Sequence, residues 1–156
     1  ISVDVFHTGT GTQYIALVHG FAALSNNLFV KVQDNSAGSL FDRVFFYYGN
    51  NGSGFGSGTT IFEPTPFASA RMSLSLLCSV ATLTLDTNFD GIADYTYTRN
   101  DVPTTALGTG IGLGFYGSAA ADNFALGVIP EPEITGLLLC GLGVLLARRL
   151  RSRPAA

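Results

Sequence analysis

Ten short segments with strand character recur about every ten residues through the first 128, and this spacing constrains the fold most. They cover approximately 1–6, 13–21, 28–33, 42–48, 59–62, 70–77, 81–85, 95–98, 111–116 and 123–128. Several alternate strictly, such as Met72, Leu74 and Leu76 against Ser73 and Ser75, or Leu83 and Leu85 against Thr82 and Thr84. The stretch Arg43-Val-Phe-Phe-Tyr-Tyr48 is apolar on both faces and predicts an inner strand. Turn clusters separate the segments, notably 50–58 and Asn88-Phe-Asp-Gly91. No amphipathic helix of ten residues occurs before position 130. The pattern predicts an all-β fold, an antiparallel sandwich or barrel, and is read here as a β-sandwich occupying residues 1–128.

Charge excludes one class of partner. All eleven carboxylates lie in residues 1–133 beside four basic residues, a net −7, whereas the last 23 residues carry four arginines and no acid. An acidic body has no footprint for phosphates, so nucleic acid is excluded as a partner. At 12% charged and 47% hydrophobic residues, the chain is also too apolar for intrinsic disorder.

The end of the chain has three parts. Pro130-Glu131-Pro132 holds the backbone extended, because two prolines two residues apart cannot enter a helix interior. Residues 134–147 form an uncharged run, Ile-Thr-Gly-Leu-Leu-Leu-Cys-Gly-Leu-Gly-Val-Leu-Leu-Ala. As a helix it would be roughly 21 Å long, short for a bilayer, but apolar on every face, unlike a helix packed on a small domain. Arg148, Arg149, Arg151 and Arg153 follow and predict a cytoplasmic C-terminus with the body outside. The expectation is a single C-terminal hydrophobic helix that spans the membrane.

This order, Pro-Glu-Pro, Leu/Gly-rich helix and terminal arginine cluster, resembles the PEP-CTERM sorting signal of Gram-negative bacteria over residues 129–153. Glu133 and Ile134 stand where that family often has Ser or Thr. The resemblance implies recognition by exosortase, a membrane-embedded cysteine protease or transpeptidase acting near Pro130, Glu131 and Pro132. It further implies transient anchoring in the inner membrane, then delivery to the cell surface or an exopolysaccharide-rich biofilm matrix. A second likeness covers roughly 68–128. The glycine-rich Gly110-Ile-Gly-Leu-Gly-Phe-Tyr-Gly117 leads into Asp122-Asn-Phe124, which resembles the end of a concanavalin A-like (lectin/glucanase) jelly roll. Members of that family are usually longer, which implies N-terminal strands missing here. The chain starts at Ile1 directly in strand-like sequence, which reads as a mature form or fragment.

Chemistry-bearing motifs are few. Asp86-x-Asn88-x-Asp90-Gly91-Ile92-x-Asp94 places oxygen ligands at positions 1, 3, 5 and 9 of a calcium loop, with the Ile92 carbonyl at position 7 and glycine at 6. Position 12 is Tyr97, so an EF-hand proper is excluded; the remainder resembles the half-loops of dockerin and thrombospondin-type repeats. The alternative is an ordinary polar hairpin turn. Cys78 lies in the body and Cys140 in the apolar run, so a membrane-spanning tail keeps them from pairing. Gly112-Leu-Gly-Phe-Tyr-Gly117 matches G-x-G-x-x-G by letter but is followed by another strand, not a helix.

The pattern predicts no enzyme. Glu63 is the only glutamate before residue 131, leaving no acid pair of the glycosidase kind, and the Glu-x-Asp-x-x-Glu strand motif of concanavalin A-like glucanases is absent. Nothing in the spacing of Asp34, Asp42 and Asp122 pairs them, and His7 and His19 have no neighbouring Ser or Cys constellation. The alternative to a sorted surface protein is a lectin-like module for extracellular polysaccharide. Its stacking platforms would come from Tyr47, Tyr48, Phe55, Tyr95, Tyr97 and Tyr116.

Overall fold

A computed structural model describes residues 1–23, 26–35, 38–48, 60–103 and 107–127. The chain divides into two units, Ile1–Leu126 and Gly127–Ala156. The first is an antiparallel β-sandwich of two five-stranded sheets. Its strands are β1 (Ser2–Phe6), β2 (Tyr14–Ala23), β3 (Asn26–Gln33), β4 (Arg43–Tyr48), β5 (Thr60–Phe62), β6 (Ser69–Leu77), β7 (Val80–Asp86), β8 (Tyr95–Arg99), β9 (Gly110–Tyr116) and β10 (Ala120–Ala125). One sheet has the order β10-β1-β6-β7-β8, the other β5-β4-β3-β2-β9. Among the described residues no helix is long and apolar enough to cross a membrane; residues 134–147 lie outside them.

Period-two sequence decides which residues face inward. Val3 and Val5 of β1, Met72 and Leu74 of β6, and Leu83 and Leu85 of β7 meet Ile15 and Leu17 of β2, Val30 and Val32 of β3, and Val44 and Phe46 of β4 in one buried cluster. Each such side chain stabilises the fold by about 1.5–3 kcal/mol through removal from water. The alternating serines and threonines of β6 and β7 pair across the outer face instead, Ser73 with Thr84 and Ser75 with Thr82.

Chain order explains the edges. Strands β2 to β5 form a meander in one sheet and β6 to β8 another in the second. The chain then crosses back so that β9 lies beside β2 and β10 beside β1. At the β5/β8 side, Phe62 stacks on Tyr97 with ring centroids 4.6 Å apart, bridging the sheets. Gly20 bends β2 near its end with φ of 69°, and a Cβ there would lie 2.6 Å from that of Leu107, so no other residue fits.

The segment at 123–128 is corrected. Strand β10 begins three residues earlier and ends at Ala125, because Ala120, Ala121 and Asp122 pair with Phe6, Val5 and Asp4. Asn123 then takes a left-handed φ of 53° where the β1–β10 register shifts, and its side-chain amide donates to Asp4 at 2.8 Å. The sequence places Asn123 at the start of the strand; here it sits in a bulge inside the strand, between the pairs Asp4–Asp122 and Ser2–Ala125.

Candidate functional site

Four polar or aromatic constellations stand on this scaffold. The first is the loop between β7 and β8. Asp86 ends β7, and its Oδ2 accepts the N–H of Gly91 at 2.8 Å. Asn88 Oδ1 accepts the N–H of Asp90 at 3.0 Å, and Asp90 Oδ1 that of Ile92 at 2.8 Å. Asp94 Oδ2 accepts from the Thr87 hydroxyl at 2.5 Å and the Thr87 N–H at 2.7 Å. The hydroxyl first, then the amide, holds the Asp94 carboxyl below its ordinary range. Phe89, with φ of 60°, stacks on Phe6 at 6.2 Å and lies under the Arg71 guanidinium, fastening the loop to the sheet. Among the described residues no three Asp, Glu, His or Cys side chains converge to hold a metal, and Asp94 is turned to Thr87.

The second is the outer face of β2, β3 and β4. Tyr14, Phe29, Lys31, Phe45 and Tyr47 share it by register. The Lys31 ammonium lies 4.5 Å from the Tyr14 ring centroid, 4.7 Å from Phe45 and 5.3 Å from Tyr47, and donates to Gln33 Oε1. Burial outweighs the attraction of three ring faces and lowers its pKa to about 8. Burial likewise raises the Tyr47 phenol above its ordinary value. Next to this layer, Gly114 of β9 leaves room for the Phe29 ring, which a Cβ would meet at 3.1 Å. This cluster is absent from the sequence reading. Its signal was the period-two set Phe29, Lys31, Gln33 beside Phe45 and Tyr47.

The third ties the two sheets together. His7 Nε2 and Asp34 Oδ2 are 3.1 Å apart with both side chains fully buried, just after β1 and β3 respectively. Phe41 packs edge-on against the imidazole at 5.1 Å. Asp42 serves elsewhere, accepting the N–H of Asn35 at 2.9 Å, and Asp122 lies across from Asp4, so the three aspartates keep separate partners. His19 is half-buried, and burial, then the charge of the N-terminus, lowers its pKa.

The fourth is Asp4, buried on the outer face of β1. It accepts from Arg71 Nε at 2.7 Å and Nη2 at 3.1 Å. This fork, helped by Asn123, holds its carboxyl below the ordinary range against the opposing effect of burial.

The candidate sugar platforms separate. Tyr47 is buried, while Tyr48, Tyr95 and Tyr97 are half-buried against the core; Tyr95 and Tyr97 face the opposite sheet. Tyr116 is exposed and stacks on Tyr14 at 5.6 Å. Phe55 and the sorting residues Pro130, Glu131, Pro132, Arg148, Arg149, Arg151 and Arg153 lie outside the described residues, as does Cys140. Cys78 is an exposed free thiol in the β6–β7 turn. Compared with known proteins, the chain matches no family model, no curated protein and no solved structure.

Proposed function

We propose that this is an exported, non-enzymatic surface or matrix protein whose residues 129–153 are a PEP-CTERM-type sorting signal read by exosortase. The observation that carries the reading is where the sandwich ends. Among the described residues the strand pairings are complete by Ala125, and the first unit closes at Leu126, four residues before Pro130. Pro130-Glu131-Pro132, whose prolines bar a helix interior, then offers backbone to a protease, the apolar run 134–147 halts export in the inner membrane, and the arginines stay cytoplasmic. Cleavage near residue 130 releases the body to the outer surface or matrix.

The test is mass spectrometry of the mature C-terminus in a Gram-negative host with and without exosortase. Release of a body ending near residue 130 is expected only with the enzyme. Intact Arg153 in outer fractions would overturn the reading.

A second reading, a concanavalin A-like module for extracellular polysaccharide, is favoured by one surface. Tyr116 is 57% exposed, backed by Tyr14, and shares its face with Gly112, whose Cβ position is open. A sugar ring laid there would meet an aromatic plane beside a strip without side chains. Retention of the full chain on host exopolysaccharide, lost in Tyr116→Ala, supports this reading; equal behaviour of both chains removes it.

A further inference from the structure

Asp86 is only 6% exposed, and its two carboxylate oxygens are treated differently. Oδ2 accepts the Gly91 N–H, which turns the group into the 86–94 loop. Oδ1 is buried and has no hydrogen-bond partner. A buried carboxylate oxygen left without a donor costs more than a neutral one, and native structures rarely leave it so. Its cross-strand neighbour Arg71 adds the attraction of its charge but, with Nε and Nη2 on Asp4, does not supply the missing hydrogen-bond partner. A cation in the loop would.

The remaining donors suit one kind of cation. Asn88 Oδ1 and Asp90 Oδ1 each accept one N–H from within the loop and keep a second lone pair. With the Ile92 carbonyl, the set consists of oxygen atoms alone, part charged and part neutral, carried on a loop without a rigid octahedral frame. Such a set favours calcium over zinc, which prefers nitrogen and sulfur, and over magnesium, which demands strict geometry. We propose that this loop binds one calcium ion, with Asp86 Oδ1 as its buried ligand, Asn88, Asp90 and Ile92 completing the near side, and Asp94 leaving Thr87 to close the shell. The proposal is independent of the sorting reading, whose test concerns only the C-terminus.

The full chain, freed of metal by chelation and held in detergent, is titrated with calcium chloride and separately with magnesium chloride by calorimetry and thermal melting. Saturable heat with a Kd on the order of 10⁻⁴ to 10⁻³ M is expected for calcium, with a rise in melting temperature that equal magnesium does not reproduce. Asp86→Asn abolishes the effect. Asp90→Ser, at an exposed position, still folds in chelator and weakens calcium binding about tenfold or more, and carries the test if Asp86→Asn fails to fold. Absence of heat and of any shift at ~10 mM calcium, well above that Kd range, overturns the proposal. Unaltered calcium binding by Asp90→Ser overturns it equally.

Discussion

The two sheets share one kind of inner face and carry opposite outer faces. On β6, β7 and β8 the middle of the outer face consists of Ser73, Ser75, Thr82, Thr84, Thr96 and Thr98, short polar groups that meet water or each other, with the pairs Arg71–Asp86 and Leu77–Val80 at its ends. On β2, β3 and β4 they are Tyr14, Phe29, Lys31, Phe45 and Tyr47, of which Lys31, Phe45 and Tyr47 are buried. The first sheet therefore has a hydrophobic side and a wet side, as an antiparallel sheet commonly does. The second buries aromatic area on both sides. Burial on the far side makes β4 behave energetically as a core strand even though only the short β5 separates it from the sheet edge.

The sharpest way to break this comparison is Phe45→Ala. If the outer layer is a second core, the loss is about 3–5 kcal/mol, matching Phe46→Ala on the inner face, by chemical denaturation. A near-neutral Phe45→Ala would mean that the outer layer contributes nothing. Gly114→Ala tests the same layer from its edge: the added methyl meets the Phe29 ring and Ala16 and should destabilise by about 1–3 kcal/mol. On the opposite sheet the stabilising device is polar. Asp4→Ala removes the acceptor of Arg71 and Asn123 and should cost about 1–3 kcal/mol at neutral pH. Because the folded Asp4 carboxyl titrates below its unfolded value, that contribution is present above the ordinary carboxylate range. It disappears as pH falls through the folded value, so wild type and variant should converge in strong acid.

Lys31 sharpens the comparison through pH. Its folded pKa of about 8 lies below the unfolded value of 10.5, so the unfolded chain binds more protons between them. Stability from this residue therefore rises from pH 8 toward pH 10, by at most about 1.4 kcal/mol per pH unit. The raised Tyr47 phenol acts in the opposite sense only above about pH 10, where an unfolded tyrosine ionises. In Lys31→Met the slope between pH 8 and 10 should vanish in urea titrations. The smallest effect belongs to Thr96→Ala on the wet face of the edge strand β8, about 0.5 kcal/mol or less.

Ten strands were legible in the chain because apolar alternation and turn clusters are local signals, and the inner face of each follows from the same period. The turn chemistry of the 86–94 loop was legible too, since Asx side chains and Gly91, with φ of 87°, act within a few residues. The sequence also set the charge division between body and tail, which is pure composition. Which strands pair was not legible. Placing β9 beside β2 and β10 beside β1 joins residues about a hundred positions apart, and that choice drew Ala120–Asp122 into a strand that local propensity would start later. Only the assembled sheets brought His7 to Asp34, stacked Tyr116 on Tyr14, closed the rings around Lys31, and buried Asp86 with one oxygen lacking a partner. Burial and long-range proximity are properties of the packed molecule, and no window of adjacent residues contains them.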